Sequence, residues 1–451
     1  MAAIANPPST SPPGPRGLPL LGSIADFGRD QLGFFTRCQR DYGDIVATNF
    51  AGWPTLVVSD MDAIERILVT EQHRFTKNSL VWRQTRALFG DGLLTSEGEL
   101  WRRQRSLAAP AFAPRNLANY VPSIVAIAED VIGAWREGEV FDIHKRMMGL
   151  SLEVAAKTLF DSPVRDDVQV IDHALNDILR ELEARIKRPV LLPDGFPLPG
   201  HIRYRRGIAA VEAVVQRMIA ERRARSEAPR CDFLSRLMAA QDADGLRMSD
   251  HQLRDEAITL LLAGHETTAL VLSWAFYLLG QNATVADRIA AEVEDHANGR
   301  SLDAGDIDKL QLTEATLIET MRVYPPSWVI GRESIEPFEI GGFEFPAGVT
   351  IFISQWVIHR DERHYDHPDV FEPNRWLEGR RHSLPRFAYM PFGGGPRVCI
   401  GQRFAMMEAA LMLATIVRRF RIEWVGDRPI VPQPSITLRP RGGVRVRVRR
   451  G

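Results

Sequence analysis

Residues 257–280, AITLLLAGHETTALVLSWAFYLLG, are almost entirely apolar apart from His265-Glu266-Thr267-Thr268 at their centre. At 1.5 Å per residue, a helix of this length is long enough to cross a bilayer core. A carboxylate at the bilayer midplane costs at least ~2.5 kcal/mol, whereas a long helix through a globular core can turn the same cluster into a cavity. The segment is therefore read as a buried core helix.

The chain has the material to bury it: 451 residues, 45% apolar and 25% charged, which excludes disorder, collagen and small disulfide scaffolds. Lys+Arg 56 against Asp+Glu 57 leaves a net charge of -1, so no global field draws the chain to nucleic acid or anionic lipid. The three cysteines, Cys38, Cys231 and Cys399, form no C-x-x-C pair, which argues against a disulfide framework or structural zinc. Solitary thiols suit a reducing cytosol, as core filler, ligand or nucleophile. The start, MAAIANPPSTSPPGPRGLPLLGS, lacks a basic region before an apolar core. Its prolines predict an extended lead-in over residues 1–20 with no signal peptide or membrane anchor, and a cytoplasmic protein.

Within 45–59, IVATNFAGWPTLVVS predicts a hairpin around Gly52-Trp53-Pro54. From about 115 to 325 the apolar periodicity is helical, with helices at about 167–187 and 202–226 flanking the proline-rich segment 188–200, which reads as an ordinary surface loop or as a lid. Strand signals return after 327 in FEIGGFEFPAGVTIFIS, and VRVRVRR alternates as a half-buried edge strand does. No Gly/Ser linker divides the chain, so 21–451 reads as one large, mainly α domain with small β-sheets (α+β).

The chemistry concentrates in Pro391-Phe392-Gly393-Gly394-Gly395-Pro396-Arg397-Val398-Cys399-Ile400-Gly401, followed by an apolar-periodic helix. Amide N–H groups and the dipole at a helix entrance lower a thiol pKa, and the glycines let backbone approach a ligand closely. Taken alone, the loop is open to a metal-binding thiolate or to a phosphate cradle (although G-K-[ST] is missing), with a tight turn around a buried cysteine the default for a glycine-rich turn by itself.

This loop resembles the haem-binding signature of the cytochrome P450 superfamily, F-x-x-G-x-R-x-C-x-G, at Phe392, Gly395, Arg397, Cys399 and Gly401. The resemblance implies haem b with Cys399 as its axial thiolate and Arg397 as a propionate partner. Further segments resemble the family in the same order. Ala263-Gly264-His265-Glu266-Thr267-Thr268 is similar to its oxygen-binding groove, making Glu266 and Thr267 an acid and alcohol that relay protons. Glu319 and Arg322 match E-x-x-R, and Arg375 matches the arginine that completes that structural triad, with Trp376 where phenylalanine is more usual. Trp101 and Arg105 match W-x-x-x-R, and Arg332 resembles another propionate partner.

The implied reaction is monooxygenation: one oxygen atom of O2 enters an apolar substrate, terpenoid or fatty-acid-like, as a hydroxyl or epoxide. The electrons would come from NAD(P)H through a separate ferredoxin or flavodoxin with its reductase. Arg102, Arg103, Arg397 and Arg403 are candidates for a basic docking patch. Family topology implies a pocket from residues near 80–94, the 188–200 segment, Ala263, Thr267, 327–330 and Ser435–Leu438. The alternatives are a peroxide-driven or isomerising haem-thiolate enzyme, or a non-catalytic haem or ligand carrier. A rival metal site is the ligand-dense run His359 to Asp369, disfavoured by its arginines and by a spacing that matches no H-x-x-x-H helix.

Overall fold

The computed structural model describes residues 11–451 except 78, 162–166, 188–194, 225–231, 243, 378 and 380–382. Its spine is the core helix, Asp250–Leu279. A capping box starts it: Ser249 Oγ accepts from Gln252 N–H at 3.2 Å, and Gln252 Oε1 accepts from Ser249 N–H at 3.0 Å. Apolar residues lie on every face of this helix, so it needs cover all round. Helices Ile143–Phe160, Pro199–Ala224, Gln311–Val323 and Gln402–Arg419 supply it. This is the one described helix long and apolar enough to span a bilayer, and the apolar stretch that qualifies it is 83% buried inside the protein.

The expected hairpin is present as β1 (Ile45–Phe50) and β2 (Trp53–Val58), but its turn is Ala51-Gly52, with Trp53 and Pro54 already in β2. Proline is tolerated there because pairing of β2 with β8 (Thr350–Ile353) begins only at Thr55. β5 (Ile330–Ser334) and β3 (Phe75–Thr76) complete a sheet ordered β1-β2-β8-β5-β3. The FEIGGFEF run forms a separate hairpin of β6 (Phe338–Ile340) and β7 (Phe343–Phe345).

The VRVRVRR strand, β12 (Arg445–Arg450), corrects one expectation. It is not an edge strand but the middle of a three-stranded sheet, between β4 (Val140–Asp142) and β9 (Phe420–Trp424). Val446 and Val448 are fully buried. The arginine rim looked like an edge device, yet alternation reports only which side chains face water, not which backbone groups are paired. A further pair, β10 (Pro432–Pro434) and β11 (Leu438–Pro440), lies beside the core helix.

Helix Val168–Lys187 matches expectation, and its partner begins at Pro199 rather than 202, since proline suits the first helical position. Residues 188–194 of the expected lid lie outside the described residues. Cys231 does too, while Cys38 is buried core, its thiol pushed up to about 12 by burial.

Candidate active site

The cysteine loop is shaped by backbone that a side chain would obstruct. Gly395 has φ +68°, and a Cβ there would stand 1.8 Å from the Leu68 carbonyl oxygen. Cys399 N–H donates to the Phe392 carbonyl at 3.0 Å, which closes the loop just before helix Gln402–Arg419. The surface that Cys399 exposes belongs to the wall of an internal cavity of about 340 Å³. Contrary to the helix-entrance expectation, its thiol is held above its usual value, because burial outweighs the Gly401 N–H and Arg105.

Ala263, Gly264, Thr267 and Thr268 of the core helix line the same cavity, as do Trp101, Arg105, Arg332, Phe392, Arg397 and Gly401. A Cβ added at Gly264 would meet only Leu159, at 3.7 Å, so open space borders this turn. Thr267 Oγ1 donates to the Ala263 carbonyl at 2.6 Å. Glu266 is not among the lining residues. Its Oε1 accepts from Thr437 Oγ1 at 2.6 Å and from Arg439 Nε at 2.9 Å. These partners hold the carboxyl below its usual range despite its burial.

The cavity rim is strongly cationic. Arg397 lies 4.4 Å from the centre of the Trp101 ring, donates to the Ser96 carbonyl at 2.9 Å and pairs with Glu97. Arg105 Nη2 donates to the Val398 carbonyl at 2.8 Å, and Arg332, buried, to the Gly331 carbonyl at 2.8 Å. Lys77, which sequence reasoning missed, joins them: its ammonium donates to the Leu94 carbonyl at 2.8 Å and lies 4.4 Å from the Trp82 ring. Burial and the charges of Arg332 and Arg397 force the Lys77 pKa well down, and burial lowers Arg332 to about 10. Four cations against Glu97 form a site that lacks anions.

Behind the loop, Glu319 and Arg322 form a fully buried bidentate pair at 2.7 and 2.8 Å, joined by Arg375 Nε at 3.4 Å. Arg322 also donates to the carbonyls of His359 and Val370, both at 3.0 Å, which ties the triad to the following loop rather than to the cavity. The rival metal run is structural. His359 Nε2 accepts from Met390 N–H at 3.0 Å, burial lowers the ring to about 3, and Arg363 bridges Asp361 and Asp44. Among the described residues, no group of three His, Cys, Asp or Glu is placed to hold a metal ion. The expected pocket walls are corrected at 435–438: Trp328 Nε1 donates to the Ser435 carbonyl at 2.8 Å, Leu438 is fully buried, and neither residue is among those lining the cavity.

A family model, Cytochrome P450, matches residues 12–445. The chain belongs to the cytochrome P450 family. It is 34% identical to cyclooctatin synthase of Streptomyces melanosporofaciens over 94% of this chain and 92% of that protein. It is 34% identical to cyclooctat-9-en-7-ol 5-monooxygenase of the same organism, over 96% and 92%. Pentalenene oxygenase of Streptomyces avermitilis is 31% identical over 94% of each chain. The solved structure of retinoic acid bound cyanobacterial CYP120A1 superposes with a TM-score of 0.86 at 28% identity, covering 98% of this chain and 99% of that one. This P450 is thus a haem-dependent monooxygenase that takes electrons from NAD(P)H through redox partners. The residues present fit haem, with a cavity-facing thiol for the iron, apolar walls for the ring and an anion-poor cationic rim for two propionates.

Proposed function

We propose that this P450 hydroxylates or epoxidises an apolar terpenoid in the cytoplasm. The observation that carries this reading is one apolar-walled cavity onto which Cys399, Thr267 and the cationic rim all open. It is supported by two relatives named for cyclooctat-9-en-7-ol and pentalenene.

Cys399 would hold the iron, and Trp101, Arg105, Arg332, Arg397 and Lys77 the propionates. Haem iron with a thiolate ligand supplies dioxygen activation and O–O cleavage when bound. Thr267 holds a proton at Oγ1 on the cavity wall. Glu266 is its acid partner, and reaching the cavity requires it to leave Thr437 and Arg439. Leu93, Leu260 and Val329 keep water from the reacting carbon.

A ferredoxin or flavodoxin docks on the cysteine side. Of the four candidate arginines, Arg103 pairs with Asp242, Arg397 with Glu97 and Arg102, although exposed, with Glu99, which leaves Arg403 exposed for a partner. The testing experiment is the reduced carbon monoxide difference spectrum of wild type and Cys399→Ser, followed by turnover of cyclic terpenes with a surrogate ferredoxin system. A strongly red-shifted Soret band in wild type alone, with an oxygenated terpene as product, is expected. Failure of every cyclic terpene to shift the haem spectrum while straight-chain acids do so would overturn the terpenoid assignment.

A further inference from the structure

The loop at residues 90–97, which brings Leu93 and Leu94 to the cavity wall, hangs on two adjacent carboxylates of the core helix. Asp91 N–H donates to Asp255 Oδ2 at 2.8 Å, and Leu93 N–H to Glu256 Oε2 at 3.1 Å. Both acidic residues are fully buried. Arg254 Nη1 donates to the other oxygen of Asp255 at 2.6 Å, while its Nε reaches Glu212 of helix Pro199–Ala224 at 2.9 Å. Gly90, at φ +55°, lets the backbone settle onto this pair, since a Cβ there would stand 2.2 Å from Asp255 Oδ2. Two further ties come from outside the helix. Gln104 Nε2 donates to the Asp91 carbonyl at 2.7 Å, and the Lys77 ammonium to the Leu94 carbonyl at 2.8 Å.

The paired bonds fix the loop's register on the helix as one bond could not. Sliding the loop along the helix breaks both at once, and the buried Leu93 N–H then goes unpaired, which is costly. The same helix carries the reacting end. Leu260, one turn beyond Glu256, lines the cavity with Leu93. Gly264, eight residues and about 12 Å along the axis from Glu256, borders its open space. One rigid element therefore fixes both the loop wall and the turn beside the reaction.

We infer that Asp255 and Glu256 are positioning residues for substrate orientation: by holding the loop in register on the core helix they set where Leu93 and Leu94 stand relative to the reacting end, and with it the substrate carbon that is oxidised. The inference does not depend on the terpenoid reading, because any substrate in the cavity meets the same loop.

The test titrates haem-loaded enzyme with imidazole and its 1-alkyl derivatives from methyl to octyl. The ring nitrogen ligates haem iron, the chain probes the walls, and binding is read from the Soret band. In wild type, affinity should rise about fourfold for each methylene that is buried and level off once the chain meets the wall. Leu93→Ala, which cuts the wall back directly, moves that limit to a longer chain. Glu256→Leu is expected to move it the same way by at least one methylene, about fourfold in the affinity of the next homologue, because the Leu93 N–H turns toward water once its acceptor is gone. Glu256→Gln keeps an acceptor oxygen and the wild-type limit. Burial lifts the native carboxyl to about 7, so this neutral amide imitates a form already populated near neutral pH. Imidazole itself, which carries no chain, should bind alike in wild type and both Glu256 variants, which separates a shifted wall from a damaged haem site. Asp255→Ala, a second release of the same loop, is expected to give the same shift and decides the question if Glu256→Leu does not fold. A wild-type limit in folded Glu256→Leu or Asp255→Ala, or a limit that Leu93→Ala leaves in place, overturns the positioning role.

Discussion

The indole N–H of Trp376 donates to Glu319 Oε2 at 2.7 Å, the same oxygen that Arg322 Nε reaches at 2.8 Å. Together with Arg375 and the Glu372 N–H, it completes the donor set around a carboxylate that has no access to water. A phenylalanine would fill most of the space but supply no donor. Trp376→Phe is expected to cost roughly 1.5–3 kcal/mol, the range for hydrogen bonds to charged groups, measured by urea unfolding of the holoenzyme. The Soret spectrum of the folded variant should be unchanged, since the triad does not line the cavity.

Lys77→Met removes one cation from the rim while keeping an unbranched side chain. Apoprotein stability should rise or hold, because burial, together with Arg332 and Arg397, already strongly disfavours the ammonium. Haem transfer to apomyoglobin should be faster than in wild type. Equal transfer rates would remove Lys77 from the propionate set.

Thr267→Ala should retain haem and the thiolate spectrum, because Thr267 contacts its own helix and the cavity but not Cys399. Product formed per NAD(P)H consumed should fall severalfold, with hydrogen peroxide released instead. Unchanged coupling would refute its part in proton delivery.

Glu408, buried on helix Gln402–Arg419, accepts from Thr268 Oγ1 at 3.1 Å, and burial lifts its carboxyl to about 8. The unfolded carboxyl titrates near 4.5, so between these values the native state binds one proton more than the unfolded state. Its contribution to stability is full below pH 4.5 and is lost as pH rises through 8, at about 1.4 kcal/mol per pH unit. Urea melts of wild type and Glu408→Gln from pH 5 to 8 should therefore diverge in the variant's favour. A gap independent of pH would show that the carboxyl is ionised throughout.

The motifs that were legible are those whose geometry is local. The cysteine loop, E-x-x-R and W-x-x-x-R each span a turn or two, so residue order dictates their shape before any packing. What stayed hidden depends on distant partners. Arg439, which holds Glu266 away from the cavity, stands 173 residues further along. Lys77 matches no motif and becomes a rim cation only because the Leu94 carbonyl and the Trp82 ring converge on it. Periodicity showed which face of β12 is dry but carried no signal of the two strands beside it.

That central position of β12 sets an order on biosynthesis. Its neighbours β4 and β9 emerge from the ribosome earlier, and β4 pairs with residues about 300 positions downstream, since Asp142 faces Arg445. Until Arg445–Arg450 arrives, both strands carry open edges, the kind of surface on which nascent chains associate wrongly. A message cut a few codons short of Arg445 would spare every residue proposed here for catalysis and still yield a protein fated for aggregation or proteolysis.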